Sequence, residues 1–409
     1  MSVANLLVEL FVEELPPKAL KKLGEAFAAA LAESLVAQGL AEATAAVTPF
    51  ASPRRLGVHV AGVLARAADK PVSTKLMPVA VGLDATGKAT PALLKRLAAL
   101  GADESAVNTL RRAADGTNEA LFHDSIAPGT TLADGLPRAL EAAMAKLPIP
   151  KVMAYQLADG WSTVNFVRPV HGLVALHGSD IVPMSVLGLQ AGRTTQGHRF
   201  EARVNPVVIS SADGYAAHLR DDGAVIAHFA ERRAEIARQL QAAASSLGLR
   251  PVDDDALLDE VTALVERPNV LIGKFEEAFL QVPPECLILT MKANQKYFPL
   301  LDQSGRLTSQ FLIVSNIAPA DASAVIEGNE RVVRPRLADA KFFFDQDRKK
   351  TLESRVPGLA KVVYHNKLGS QLDRVGRVQA IARAIGQMLG NEALALHAER
   401  AALLAKADL

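Results

Sequence analysis

Guanidinium and ammonium groups interleaved with phenyl rings can hold phosphate and stack on nucleobases. One stretch of this 409-residue chain, GNERVVRPRLADAKFFFDQD (328–347), concentrates both. Between positions 331 and 350 stand seven cations, Arg331, Arg334, Arg336, Lys341, Arg348, Lys349 and Lys350. They meet three carboxylates, Asp339, Asp345 and Asp347, so the stretch carries +4 in a chain whose total is +1. Pro335 reads as the first residue of a helix, where its missing N–H costs nothing. Leu337, Ala340, Phe343 and Phe344 are expected on the docked face of that helix. Arg334 and Arg336 would then flank a helix start, where the dipole disfavours cations. Either a carboxylate, Glu330 or Asp339, or an RNA phosphate is expected to compensate. A solvated basic helix has the same spacing, and both readings stand.

Other residue sets invite the same weighing. Arg54 and Arg55 sit in the turn Ser52-Pro53-Arg54-Arg55, within reach of phosphate or simply solvated. Arg168, before Pro169, faces a phosphate or caps a sheet edge. Gly197-His198-Arg199-Phe200 offers a glycine, two donors and a ring suited to an RNA end, or a strand end packed by Phe200. Lys292, Gln295 and Lys296 follow a helix C-terminus, where the dipole alone favours cations. Gly82–Ala89 matches a phosphate loop except at its last position, where Ala89 replaces the magnesium-holding Ser/Thr; turn chemistry before a helix at Thr90-Pro91 is the better reading. His123-Asp124 falls in a strand-like stretch, whereas a phosphohydrolase needs the pair on a helix. His171, His177 and His198 share a region with Asp180 and Ser185, yet no nucleophile–base–orienter set assembles. No catalytic residue and no metal ligand is assigned.

The elements that must position these residues follow from periodicity. Asn5–Val12 reads as a strand, Pro16-Pro17 opens a helix to Gln38, and Val47–Phe50 and Leu56–Leu64 read as two more strands. Residues 66–146 form an alanine-rich α/β connecting region. From 147 to 348 an α+β domain is expected, with short strands at Thr163–Val167, Gly172–Leu176, Ile181–Leu187 and Thr194–Phe200. A long helix follows from Val225 to Leu247, then a helix over 254–265 and a strand over Val270–Ile272. Glu285–Lys292 reads as a helix, and Tyr297–Leu301 and Phe311–Ile317 as strands. Helices are expected over Lys349–Val363, Leu368–Leu389 and Glu392–Leu409, the last with Leu394, Ala398, Ala401 and Leu404 on its stripe. The fold class is therefore multidomain α+β: an N-terminal β-α-β-β module (1–65), the connecting region, a central, mostly antiparallel sheet domain, and a helical C-terminal segment (349–409).

Composition narrows the class. Hydrophobic residues make up 49% and charged residues 22%, which is globular. No apolar run reaches the roughly 18 residues of a membrane helix, and no secretory leader is visible, so a cytoplasmic location is expected. Cys286 is the single cysteine, which excludes an internal disulfide and a thiolate zinc cluster. A total charge near zero confines nucleic-acid contact to local patches.

The words of the sequence go further than its spacing. Together with the opening stretch, VELFVEELPPKAL (8–20), ASPRRL (51–56), KLPIPKVM (146–153), FVRPVH (166–171), GHRF (197–200), LVERP (264–268), TMKANQKYF (290–298) and IVSNI (313–317) resemble, in order, the beta subunit of bacterial heterotetrameric glycyl-tRNA synthetase. The resemblance implies an N-terminal fragment, cut within an HD-like helical domain that begins near 349. It implies that the central domain is like the editing-type domain of the phenylalanyl-tRNA synthetase beta chain. It implies a share in ATP-dependent attachment of glycine to tRNA(Gly), through tRNA binding and assembly of an α2β2 complex with an alpha subunit and a second beta subunit. ATP and Mg2+ are then used on the alpha subunit; this chain binds no cofactor and is inactive alone. A tRNA-editing hydrolase and a structural brace without RNA contact are the alternatives. The chain departs from the family pattern at Ala154-Tyr155, at Val170-His171 and at Arg267, where aromatic residues are usual.

Overall fold

The computed structural model describes residues 2–409 apart from Ala85, Thr117 and Ala158. The architecture is α+β with several antiparallel sheets. Two compact units divide the chain. The first comprises Met1–Gln239, Asp254–Val270 and Val314–Pro319; the second comprises Leu240–Asp253, Leu271–Ile313 and Ala320–Leu409.

In the first unit the expected β-α-β-β order is present. Strands β1 (Val3–Val12), β2 (Val47–Ser52), β3 (Arg55–Leu64), β4 (Val170–His177) and β5 (Asp180–Ile181) form one antiparallel sheet in the order β5-β4-β1-β3-β2. The boundary expected at 147 cuts through this sheet, because β4 pairs with β1. Side chains alternate across a strand. Leu6, Val8, Leu10 and Val12 pack on one face with Leu20, Leu23, Phe27 and Leu31 of the helix Pro17–Ala37 and with Leu136 and Leu140 of the helix Leu132–Ala145. Leu7, Phe50, Val174 and Leu176 pack on the other face against Val207, Ile209, Tyr215 and Leu219. Both faces are covered, which is why β1 reads as a nearly unbroken apolar run.

Residues 66–146 carry a second antiparallel sheet of Lys70–Pro78, Asn118–Ala127 and Arg111–Asp115, sealed by Leu93 and Leu97 of the helix Pro91–Ala99. Two expected strands are shorter than their apolar residues suggested. Ile181–Leu187 is interrupted at 182–184, which leaves Asp180–Ile181 and Ser185–Val186, and it ends in a turn where Leu187 and Gly188 both take positive φ (56° and 75°); of Thr194–Phe200 only Thr194–Thr195 is a strand. The helix expected from Val225 begins at Phe229.

The second unit has a four-stranded sheet in the order Arg250–Pro251, Phe298–Leu301, Leu307–Ser315, Asn269–Lys274. Its core joins Phe311, Ile313, Leu287, Met291 and Tyr297 to Val333 and Leu337 of one long helix, Ser323–Asp347. That helix starts twelve residues before Pro335, so the proline is interior rather than first. The lost backbone hydrogen bond is offset by Val333 and Leu337, both fully buried on either side of it. At 100° per residue, Phe344 lies about 20° from Leu337 but Phe343 about 120° away. Phe343 is accordingly 63% exposed rather than docked. Beyond it, Lys349–Val363 is not one helix but two short turns, Leu352–Arg355 and Val356–Lys361, the second containing Pro357. Helix Gln371–Leu389 is opened by a capping box of Ser370 and Asp373 and packs on helix Glu392–Leu404 through Ala395, where Gly386 allows close approach. The stripe expected on that last helix is displaced: Ala395 and Ala402 are buried and Leu394 is exposed. No described helix is long and apolar enough to cross a membrane.

These burials predict that Leu337→Ala lowers stability by about 2–5 kcal/mol, whereas Phe343→Ala stays within about 0.5 kcal/mol of the parent. Urea unfolding followed by circular dichroism checks both. Equal losses would mean that Phe343 is packed after all.

Candidate functional site

Several residues that the sequence marks for phosphate contact are instead interior. Arg55 is fully buried and Arg54 nearly so. Both are locked by carboxylates far away in the chain: Arg55 Nη1 lies 2.9 Å from Glu266 Oε1, Arg54 Nη2 lies 2.9 Å from Glu266 Oε2, and Arg55 Nε lies 3.4 Å from Glu9 Oε2. Glu9, on β1, also accepts from Thr195 Oγ1 and from the Tyr215 hydroxyl. Both guanidinium groups stack over the Phe11 ring. Burial pushes the Glu266 carboxyl up, but the charges of Arg55 and Arg54 and the Arg54 hydrogen bond outweigh it and hold it below the usual carboxylate range. Burial, and then the Glu9 charge, push the Tyr215 hydroxyl well above its ordinary value. Arg232, also fully buried, is drawn down to about 9 by burial. It donates to the carbonyls of Ala51 (2.8 Å), Ile226 (2.6 Å) and Thr262 (3.0 Å), and so ties three segments together.

This network shapes the GHRF turn. Arg54 donates to the Gly197 carbonyl at 3.0 Å and Arg55 to that of Gln196. His198 is buried, and its Nδ1 accepts from the backbone N–H groups of Phe200 and Glu201 at 3.2 and 3.1 Å. His198 therefore shapes the loop and is not open to RNA. The loop presents Arg199, 3.8 Å from Glu14, and Phe200, which is 77% exposed and does not pack a strand end. Arg168 is half-buried and donates to the carbonyls of Glu14 and Val167, the role of an edge cap. Arg267, at a position where the family usually has Trp, pairs with Glu201 at 3.2 Å. It also borders a cleft of about 790 Å³ in which Arg203, Arg220 and Arg267 are matched by Asp221, Glu231 and Glu235, which leaves no net charge to draw a polyanion.

The two decoys resolve as turn and strand. Asp84 accepts from the backbone N–H groups of Thr86 (2.8 Å) and Lys88 (2.9 Å), and the Thr86 side-chain bond, foremost, lowers its pKa. Ala85 of that loop lies outside the described residues. His123 and Asp124 lie on the strand Asn118–Ala127, and Arg111 holds Asp124 at 2.9 Å. Among the described residues no group of three His, Cys, Asp or Glu side chains could hold a metal ion.

In the second unit the expected arginines are exposed and the expected lysines half-buried. Helix Pro284–Thr290 runs into a π-turn, Met291–Gln295, closed by Lys296 in the left-handed conformation (φ 61°). Lys292, Gln295 and Lys296 ride on this turn. Tyr297 anchors it: the buried ring packs on Phe311, and the hydroxyl donates to Asn329 Oδ1 on the long helix at 2.7 Å. Arg331, Arg334 and Arg336 are exposed along that helix, away from its ends, so the dipole argument does not apply to them. The partner of Arg334 is neither Glu330 nor Asp339 but Glu276, at 2.6 Å. Glu330 instead accepts from the Lys274 N–H. Lys341 pairs with Asp345 at 2.7 Å.

The family model described as glycyl-tRNA synthetase beta subunit matches residues 6–409. Among proteins named glycine–tRNA ligase beta subunit, that of Thiobacillus denitrificans is 77% identical over 409 residues, which cover 100% of this chain and 58% of that protein. The protein of Dechloromonas aromatica is 73% identical over 419 residues and that of Leptothrix cholodnii 70% over 422, each covering 100% of this chain and 59% of the relative. The chain thus spans less than two thirds of the length of these relatives.

Glu266→Gln should destabilise the first unit by about 3–5 kcal/mol, because it strands buried guanidinium charge. The Glu266 carboxyl is lowered in the folded state. Its contribution is therefore complete above the unfolded value of about 4.3 and is lost as pH falls through the lower folded value. Urea melts from pH 6 to pH 3 should show a shallower acid-side decline for the variant. Parallel declines would mean that Glu266 does not carry the charge balance.

Proposed function

The chain belongs to the glycyl-tRNA synthetase beta subunit family, and from that premise we propose that it acts within an α2β2 glycyl-tRNA synthetase as the subunit that binds tRNA(Gly) and assembles the complex. The family match over nearly the whole chain carries this reading. The catalytic centre, with ATP and Mg2+, belongs to the alpha subunit in this reading; this chain holds neither and has no ligase activity alone. The central part of the chain is taken as an editing-type fold like that of the phenylalanyl-tRNA synthetase beta chain, its limits set by the packed sheets and not at 147, and 349–409 as the start of an HD-like helical domain. The complex works in the cytoplasm.

The tRNA-contacting groups in this reading are those that are exposed or half-buried. They are Arg199 in the first unit, and Lys292, Gln295, Lys296, Arg331, Arg334, Arg336 and Lys341 in the second. Arg54, Arg55 and His198 are dropped because their side chains are buried inside the fold. The balanced cleft beside Arg267 gives no support to editing, since its three carboxylates are offset by three arginines and no described histidine lines it.

Reconstitution of full-length beta subunit with alpha subunit tests the division of labour. Pyrophosphate exchange with glycine and ATP should require alpha, and glycylation of tRNA should require both subunits. Exchange by the beta subunit alone would overturn the proposal. Lys88→Ala in the heterotetramer should leave the KM for ATP unchanged, because the loop is an Asp84-centred turn; a tenfold rise would make it a nucleotide site.

A further inference from the structure

The long helix Ser323–Asp347 turns two phenyl rings outward where packing gives no reason for it. Phe342 and Phe343 are 55% and 63% exposed. They meet edge to face, with centroids 5.5 Å apart and planes at 76°. That contact occupies at most one of the four ring faces and leaves the others to solvent. The cations around them are largely unspent. Arg336 stands seven residues before Phe343, hence in the same row along the helix about 10.5 Å away. Lys349 and Lys350 follow just past the last turn. Among the described residues Arg331, Arg336, Lys349 and Lys350 make no ion pair. Of the nearby carboxylates, Asp345 is taken by Lys341 and Asp347 by Arg355 at 3.1 Å, while Asp339 stays open. The surface is therefore both apolar and positive.

We propose that Phe342 and Phe343 form a stacking platform for unpaired nucleotides of the bound RNA, with Arg336 on one side and Lys349 and Lys350 on the other holding the flanking phosphates. The inference rests on the tRNA-binding reading above. It adds to that reading two residues that nothing else assigns and the kind of strand they take. A duplex buries the faces of its bases in its own stack and shows phosphate outside, so exposed rings gain nothing from it; an unpaired strand offers base faces at each step. An apolar protein surface would cover the rings, but it would also bury cations that have no partner, at a desolvation cost. A polyanion with planar apolar faces satisfies both features of the surface at once.

The test uses the full-length heterotetramer, with binding of tRNA(Gly), a single-stranded hexanucleotide RNA and a duplex of equal length measured by fluorescence anisotropy across a salt series. Phe342→Ala/Phe343→Ala should weaken tRNA and the hexanucleotide by roughly tenfold, leave the duplex unaffected, and keep the slope of log affinity against log salt. Arg336→Ala should flatten that slope by about one unit. Both variants should melt with the parent; a lowered melting temperature of the double variant would mean that the rest of the longer protein covers the rings, and would overturn the proposal. Parent-like affinity of the double variant, with the slope still reduced in Arg336→Ala, would overturn the platform and leave the tRNA reading standing. No effect of either variant on tRNA would remove this helix from the RNA surface altogether. Dissociation of the complex by the double variant, seen by size-exclusion chromatography, would make the rings a protein interface and overturn the proposal in that way.

Discussion

A buried charge must be met inside the fold by an opposite charge or by hydrogen bonds. In the first unit that requirement is met by one cluster, in which Glu266 and Glu9 together neutralise Arg55, and Glu266 also holds Arg54. The partners come from segments more than 200 residues apart, so the cluster exists only when β1, the β2–β3 turn and the 264–268 segment are all in place. Arg232 adds no carboxylate partner but holds backbone carbonyls from three segments, a use for which a fork of five donors is suited. Four blocks by which the chain resembles its family, VELF, ASPRRL, GHRF and LVERP, converge here. They meet for a physical reason: each supplies a charged or hydrogen-bonding group that another holds inside the fold.

The same cluster explains why the chain was only partly legible. The β1–helix–β2–β3 order was readable because each element carries a strong periodic pattern and its cap or breaker, Pro17 at the helix start and Gly39 (φ 73°) at its end. Arg54 and Arg55 were not, because a charged pair in a turn looks solvated until its partner, 211 residues on, is seen. His198 looked like a donor for the same reason, although it shapes its own loop by accepting two backbone N–H groups. Within the long helix the difficulty was angular. Counting Phe343 on the docked face treats a six-residue step as a helical repeat, whereas only three, four and seven bring residues back to one face. Pro335 compounded it, since a proline that is usually a start signal here sits between two fully buried residues and is carried by their packing.

The two units use their cations differently. In the first, guanidinium groups are spent on carboxylates and carbonyls, and what remains at the surface is scattered. In the second, the long helix docks by Val333 and Leu337 and leaves much of its circumference, with most of its charge, in water. Such charge acts over about 8–10 Å at ordinary salt, so a chain with a total of +1 can still offer a local field to a polyanion.

The π-turn beside that helix shows how position can be secured at a local cost. A left-handed lysine is disfavoured by roughly 1–2 kcal/mol relative to a helical one, and a single π-turn adds a poorer hydrogen-bond geometry. Both are held by what lies on each side. Met291 is fully buried in front, and behind it Tyr297 is buried against Phe311 and fastened to Asn329. With both ends fixed, the extra residue of the wider turn cannot be absorbed by sliding the strand Phe298–Leu301, whose register is set by its pairing with Leu307–Ser315. The backbone therefore bulges at the surface and carries Lys292, Gln295 and Lys296 with it. A regular helix ended by glycine is the commoner way to close such a segment; here the wider turn seats Lys292, Gln295 and Lys296 half-buried against the unit, and Lys296 Nζ fastens the turn to itself by donating to the Ala293 carbonyl at 3.1 Å.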